Sequence, residues 1–325
     1  MKKNQCTMKD VARVVGVSTY TVSRALNGKR DISARLREEI LRVSREMGYV
    51  PNVAARGLQS GSTKTVALVL DDLQNMYYNI LLSKFTKKLN SFSYHVTIYY
   101  EWDSISTLNE RLMQRVLSSN PDGIISFLRT DAQAIQLNKI WKRPLVVIGA
   151  QEDDPDTDCI YFDDGRGGEE VTRYLIGCGC RRIGFINASS KLKPGTVRCK
   201  GYERALRAAG IPVDEELIYN LEDRGCPVEE AVVHMAKAGA DGIFCFSDMT
   251  ALNALWALNK TEYAGKIHVA GWDNVGQEIK MPCHFTTVGT DIDRMVDETV
   301  DVLMRRIEGQ EEPVLKKMYP VYLIE

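Results

Sequence analysis

No stretch of this 325-residue chain approaches the ~20 consecutive apolar residues of a membrane span. The opening, MKKNQCTMKD, has no apolar core of the kind a signal peptide needs, so a cytoplasmic protein is expected. Histidine is scarce, with four residues, and the eight cysteines are scattered. Only Cys178 and Cys180 stand close, without the second ligand pair of a zinc site. Reduced thiols, no metal and no cofactor are therefore expected, with a redox role for Cys178 and Cys180 as the alternative. There is no phosphate loop and no nucleophile elbow. Gly165-Arg-Gly-Gly168 lacks the G-x-G-x-x-G spacing and reads as the start of a helix. These absences point away from an enzyme. What remains is an ordinary globular composition, 44% hydrophobic and 26% charged, on a chain too long for one core.

The net charge of −1 hides an uneven distribution. Residues 1–60 hold 12 Lys/Arg against 5 Asp/Glu, and the remaining 265 hold 30 against 38. A basic head on an acidic body suits attraction to phosphate. Within the head, Met8, Val11, Ala12 and Val15 recur at helical spacing, and Thr7 with Asp10 makes a capping box. Gly16-Val17 breaks this pattern, and Ser18 can cap a second helix. In that helix Val22 and Leu26 face inward, while Thr19, Tyr20, Ser23, Arg24 and Asn27 face out. A third helix after Ser33 carries Leu36, Ile40, Val43 and Met47 and stops at Gly48. Helix, short glycine turn, helix is the layout of a DNA-binding helix-turn-helix. Thr19, Tyr20 and Arg24 are the candidate base readers, Arg24 by forking onto a guanine edge. Thr21, Ser23 and Asn27 are candidate backbone contacts, which position the head.

The run MKDVARVVGVSTYTVSRALNG, followed by GYVPN and AARGL, resembles the head and hinge of the lactose-repressor/galactose-repressor family of bacterial transcription regulators. The resemblance implies that residues 51–63 hold a short hinge helix, formed when two copies pair on an operator. It also implies that Ala55 and Leu58 meet the minor groove there, with Leu58 as an apolar wedge. From the residues alone, a short segment containing Gly57 is marginal as a helix, and an unstructured linker is the alternative.

From Lys64 onward strand and helix patterns alternate, which implies parallel sheets covered on both faces. Strands are expected at Thr65–Asp71, His95–Tyr100, Gly123–Phe127 and Pro144–Gly149. The alternation restarts with strands at Arg182–Asn187, Gly242–Phe246 and Ile267–Gly271. Pro121-Asp-Gly-Ile-Ile-Ser-Phe127 is echoed by Ala240-Asp-Gly-Ile-Phe-Cys-Phe246, as two similar lobes would require. A last amphipathic helix is expected at Ile292–Ile307 and a single crossing strand at Tyr319–Ile324. The expected fold is a three-helix helix-turn-helix head with a hinge helix, then two doubly wound α/β lobes of periplasmic-binding-protein type. Head, hinge and body are placed at 1–50, 51–63 and 64–325. Lobe one takes about 64–160 plus 291–318, and lobe two about 161–290 plus the C-terminal strand.

Ligands of open α/β sheets collect at the carboxyl ends of the strands, and two facing lobes put that crevice between them. Tyr78 could stack on a ring there, or simply pack at a helix start. The resemblance implies further contacts for a small effector, a sugar or sugar derivative. They are Arg198 in Arg-Cys-Lys-Gly-Tyr202, Asp273 in Gly-Trp-Asp, Asp163 at the first inter-lobe crossing, and Thr290 where a glutamine is common. Asp248 is a candidate both as a contact and as a helix cap. Where the family often places an aspartate after the fourth strand, this chain has Gly149-Ala150-Gln151. The expected function is a ligand-responsive repressor, dimeric on a pseudo-palindromic DNA operator and without membrane association. An activator or dual regulator of the same family is one alternative, and a cytoplasmic solute-binding protein is another.

Overall fold

The computed structural model describes residues 6–26, 28, 31–50, 61–70, 72–100, 107–280 and 285–325. Two compact units divide the chain, Met1–Thr63 and Lys64–Glu325. In the head, α1 (Met8–Val15) starts at a complete capping box. The Asp10 amide donates to Thr7 Oγ1 at 3.4 Å, and the Thr7 amide donates back to Asp10 Oδ2 at 3.0 Å. Gly16, at φ 76°, turns the chain into α2 (Thr19–Leu26), where the Ser18 hydroxyl accepts from the Thr21 amide at 3.0 Å. Ser33 caps α3 (Ala34–Glu46), and the Tyr49 amide closes its end on the Ser44 carbonyl at 2.8 Å. Val11, Ala12, Val22, Ala25, Ile40 and Val43 form the core between the three helices. Ala25 is thus the second buried residue of α2, and Leu26 lies half-buried at its edge.

The body holds two parallel sheets. The first comprises β1 (Thr65–Leu70), β2 (His95–Tyr100), β4 (Gly123–Ser126), β6 (Leu145–Gly149), β7 (Asp158–Phe162) and β13 (Lys316–Tyr319). Its spatial order is β13-β7-β6-β4-β1-β2, with every pairing parallel. A short pair, β3 (Thr107–Leu108) and β5 (Arg129–Thr130), lies beside it in sequence. The second sheet has the order β11-β10-β8-β9, from β8 (Ile183–Asn187), β9 (Ile218–Asn220), β10 (Gly242–Cys245) and β11 (His268–Ala270). The inner strands of each sheet are buried on both faces, which explains their continuous apolar runs.

The sequence reading misses β7 and β9. β7 opens on a charged residue, and burial of Asp158 is made possible by Arg306, whose Nε and Nη2 reach its two oxygens at 2.9 and 3.0 Å. The single crossing strand expected at Tyr319–Ile324 is corrected to two strands. β13 runs parallel to β7 in the first lobe, and β14 (Tyr322–Ile324) pairs antiparallel with β12 (Thr287–Gly289) in the second. Pro320 lies between them, where a missing amide donor ends a ladder. The Ile292–Ile307 helix packs on the first lobe against the Met76–Ser91 helix. Among the described residues no helix is long and apolar enough to cross a membrane.

Two helices of the second lobe, Asp164–Gly177 and Lys193–Ala208, approach at glycine positions. A Cβ added at Gly201 would lie 2.2 Å from the Gly165 carbonyl oxygen, and one at Gly168 would lie 2.4 Å from the Arg198 carbonyl oxygen. Gly201→Ala is expected to destabilise the body by about 1–3 kcal/mol through overpacking, read as a lowered melting temperature. Gly177→Ala, at a site with open space around it, should change stability by under about 1 kcal/mol. Equal effects of the two would refute the close approach.

Candidate ligand cleft and nucleic-acid interface

A cavity of about 440 Å³ lies between the lobes at the carboxyl ends of their strands. Residues after β1, β4 and β6 line it from the first lobe, and residues after β8, β10 and β11 from the second. Its apolar walls are mostly aromatic: Tyr77, Tyr78, Phe127, Phe162, Phe246 and Trp272. Such faces suit the C–H surfaces of a small polar ring while polar groups fix its orientation.

Arg198 is the most constrained polar group of this wall. The Lys193–Ala208 helix carries it, and its side chain is 7% exposed. Its Nε donates to Asp164 Oδ1 at 2.8 Å and Nη1 to the Phe246 carbonyl at 2.7 Å. The guanidinium carbon stands 3.8 Å from the Trp272 ring centroid and 4.6 Å from that of Phe246. Two of the five guanidinium N–H groups are committed in these bonds, and the side chain lines the cavity. Burial pushes the Asp164 carboxyl up, and the adjacent Arg198 opposes that shift.

Asp273 follows β11 at φ 114°, a backbone region L-residues seldom adopt, and its amide donates to the Val288 carbonyl at 2.8 Å. Burial, and next the charge of Asp248, hold its carboxyl well above the usual range, against the pull of Arg198. Tyr77 stays protonated for the same main reason, burial, with Asp273 adding to the shift. The cleft thus brings hydroxyl and guanidinium donors beside a carboxyl whose titration burial shifts upward, groups that can meet the hydroxyls of a ligand.

Of the six sequence candidates, the structure brings Tyr78, Arg198 and Asp273 together on the cavity wall. Tyr78 does both things foreseen for it, packing on Phe127 at 5.5 Å between centroids and facing the cavity. The other three do not line it. Asp163 caps the Asp164–Gly177 helix by accepting from the Arg166 amide at 3.2 Å. Asp248 is 1% exposed, accepting from Thr287 Oγ1 at 2.5 Å and from the Val275 amide at 2.8 Å, so it welds segments together. The Thr290 hydroxyl donates to the Pro320 carbonyl at 2.9 Å.

Sequence reasoning passed over Phe127, Phe246 and Trp272. The signal for the first two was present, since both close the PDGIISF and ADGIFCF echo at equivalent strand ends. Lys193 was also missed. From the second lobe it reaches the Gln151 carbonyl at 3.2 Å and Asp153 at 3.3 Å in the first. A second inter-lobe pair joins Lys84 to Glu278 at 3.0 Å. The first pair is exposed and the second half-buried, and pairs open to solvent are weak individually.

In the head, Thr19 and Tyr20 are exposed on α2, and Arg24, Thr21 and Ser23 are half-buried. Arg24 is engaged by its neighbours, through Nη1 with Tyr20 Oη at 2.6 Å and through Nη2 with Asp31. Asn27, Ala55 and Leu58, with the hinge helix expected around the last two, lie outside the described residues.

Family models match both units. One, for bacterial regulatory proteins of the lacI family, matches residues 7–52, and one for periplasmic binding proteins and the sugar binding domain of the LacI family matches 63–280. The HTH-type transcriptional regulator DegA of Bacillus subtilis (strain 168) is 28% identical over 98% of this chain and 96% of its own. A transcriptional regulator CelR–cellobiose complex superposes with TM-score 0.68 at 26% identity, covering 99% of each chain. The lac repressor dimer bound to operator and the anti-inducer ONPF shares the fold, with TM-score 0.78 at 19% identity over 99% of this chain and 98% of that one.

Asp248 supplies a pH test of the wall behind the cleft. Burial pushes its carboxyl up to about 6, against the opposing hydrogen bonds, from an unfolded value of 3.8. The folded state therefore holds the extra proton between these values, and this contribution to stability grows as pH falls through the window and is lost above it. Between pH 7 and pH 5 the protein should gain about 1 kcal/mol relative to Asp248→Asn, read from denaturant midpoints. An unchanged difference would contradict the buried geometry.

Proposed function

The chain belongs to the lacI family of bacterial regulatory proteins, and on that premise we propose a cytoplasmic homodimer that represses transcription and answers to a small metabolite. Two heads take the half-sites of a pseudo-palindrome, because a two-fold dimer requires a two-fold operator. Thr19, Tyr20 and Arg24 read base edges, Thr21, Ser23 and Asn27 hold the backbone, and Ala55 and Leu58 of the hinge meet the minor groove. The cleft is a binding site and carries no reaction. Its ligand is a sugar or sugar derivative whose hydroxyls meet Arg198, Asp273 and Tyr77 while Tyr78 and Trp272 cover its faces. The relative described with cellobiose supports that class without fixing the member.

One observation carries this reading. A single chain joins a helix-turn-helix with exposed Thr19 and Tyr20 to a cleft whose walls come from two lobes. A ligand bridging those walls binds one lobe angle better than another, and by linkage it shifts the affinity for DNA.

Selection of the purified protein on random duplex DNA at two salt concentrations tests the first half. A pseudo-palindrome whose affinity falls steeply with salt is expected, and no enriched site, with or without added metabolite pools, would refute it. A thermal-shift screen of sugars, sugar phosphates, nucleosides and purines tests the second half. The shift produced by a hit should disappear in Arg198→Ala and Asp273→Ala. Retention of the shift in both alanine variants would place the ligand elsewhere.

A further inference from the structure

Arg24 is held from two sides in the unbound head. Its Nη1 donates to Tyr20 Oη at 2.6 Å, one turn earlier on α2, and its Nη2 pairs with the Asp31 carboxylate beyond the helix end. The guanidinium carbon lies 5.2 Å from the Tyr20 ring centroid. Its Nε is buried and has no hydrogen-bond partner among the described residues. A guanidinium carries one N–H on Nε and two on each terminal nitrogen. With one hydrogen of each terminal nitrogen committed, each retains one more. That is the number of donors which guanine O6 and N7 accept side by side in the major groove.

We infer that Asp31, as a positioning residue, and the Tyr20 hydroxyl, in addition to that side chain's own place on the reading face, brace Arg24 as a pre-set reader of a guanine edge. The brace orders a long, rotamer-rich side chain on folding, so that less freedom is lost when DNA arrives. It also keeps the guanidinium from spending its donors on the nearest phosphate, a contact that carries no sequence information. The inference rests on the reading of α2 as the DNA-reading helix and of Arg24 as its base contact. It explains the presence of an acid in a head rich in Lys and Arg. An unpaired Asp31 would only repel phosphate, whereas a paired one orients the residue that discriminates.

The two roles differ in sign. If Asp31 were an unengaged surface acid, Asp31→Asn would strengthen binding to every duplex alike. As a brace, its loss should leave or raise affinity for random-sequence duplex while lowering discrimination at one base pair. The experiment uses the full chain and the duplex enriched by selection, together with all its single base-pair variants, by fluorescence anisotropy at fixed salt. Asp31→Asn should reduce the preference for G·C about threefold to tenfold at the position where Arg24→Ala abolishes it, a fraction of what a bidentate base contact supplies. Tyr20→Phe, which removes the hydroxyl and keeps the ring, should reduce the same preference less. Asp31→Glu, which keeps the carboxylate, should preserve most of it, so a folding defect in one variant leaves the inference testable. An unchanged preference in both Asp31→Asn and Tyr20→Phe would overturn the brace. If Arg24→Ala altered preference at no position, the base-reading role itself would fall, which is a distinguishable result.

Discussion

The second lobe closes around a charge that has been taken out of water. Arg198 and Asp164 are each 7% exposed and meet at 2.8 Å. Desolvating two such groups is expensive, and removing one partner leaves the other buried alone, a loss of about 3–5 kcal/mol. The pair is tolerated because its surroundings complete it. The Phe246 carbonyl takes a second guanidinium hydrogen, and Trp272 and Phe246 present aromatic faces to the cation. Through these contacts one side chain links two helices to the ends of β10 and β11. Placement of Arg198 on the cleft wall and cohesion of the lobe are therefore the same physical fact.

Close packing lets that pair form. Gly168 and Gly201 allow the Asp164–Gly177 and Lys193–Ala208 helices to approach until backbone meets backbone. Asp164 and Arg198 sit at that seam. The bonds between the lobes are of another kind, since Lys193 to Asp153 is an exposed ion pair and Lys84 to Glu278 a half-buried one. Rigid lobes joined by weak pairs are what a ligand needs in order to change an angle without disturbing a core.

Much of this was legible in the residues. Capping signals at Thr7 and Ser18 marked the starts of the first two head helices, because a cap is a local interaction between neighbours in sequence. Uninterrupted apolar runs marked most strands of both sheets for a similar reason, burial on two faces. β7 escaped because it begins with Asp158, whose partner Arg306 is remote in sequence. Arg198 and Asp273 were recognisable from their surrounding residues, and Phe127 and Phe246 from an echo whose meaning emerged only with the strands in place. Asp248 shows the limit. A carboxylate after a strand looks the same in sequence whether it faces a cavity or, as here, the amide of Val275 and the hydroxyl of Thr287. The Arg24–Asp31 pair was hidden as well, since its members stand seven residues apart, one on α2 and one beyond its end.

The central claim is that the cleft and the DNA-reading face share one free-energy balance. Titration calorimetry of a ligand identified by the cleft screen, into free protein and into the protein–operator complex, measures that balance directly. The ligand's affinity should differ between the two by the same factor by which the ligand changes operator affinity, typically ~5–150-fold. Equal ligand affinities for free and DNA-bound protein would contradict it, and would make the cleft and the head independent modules on one chain.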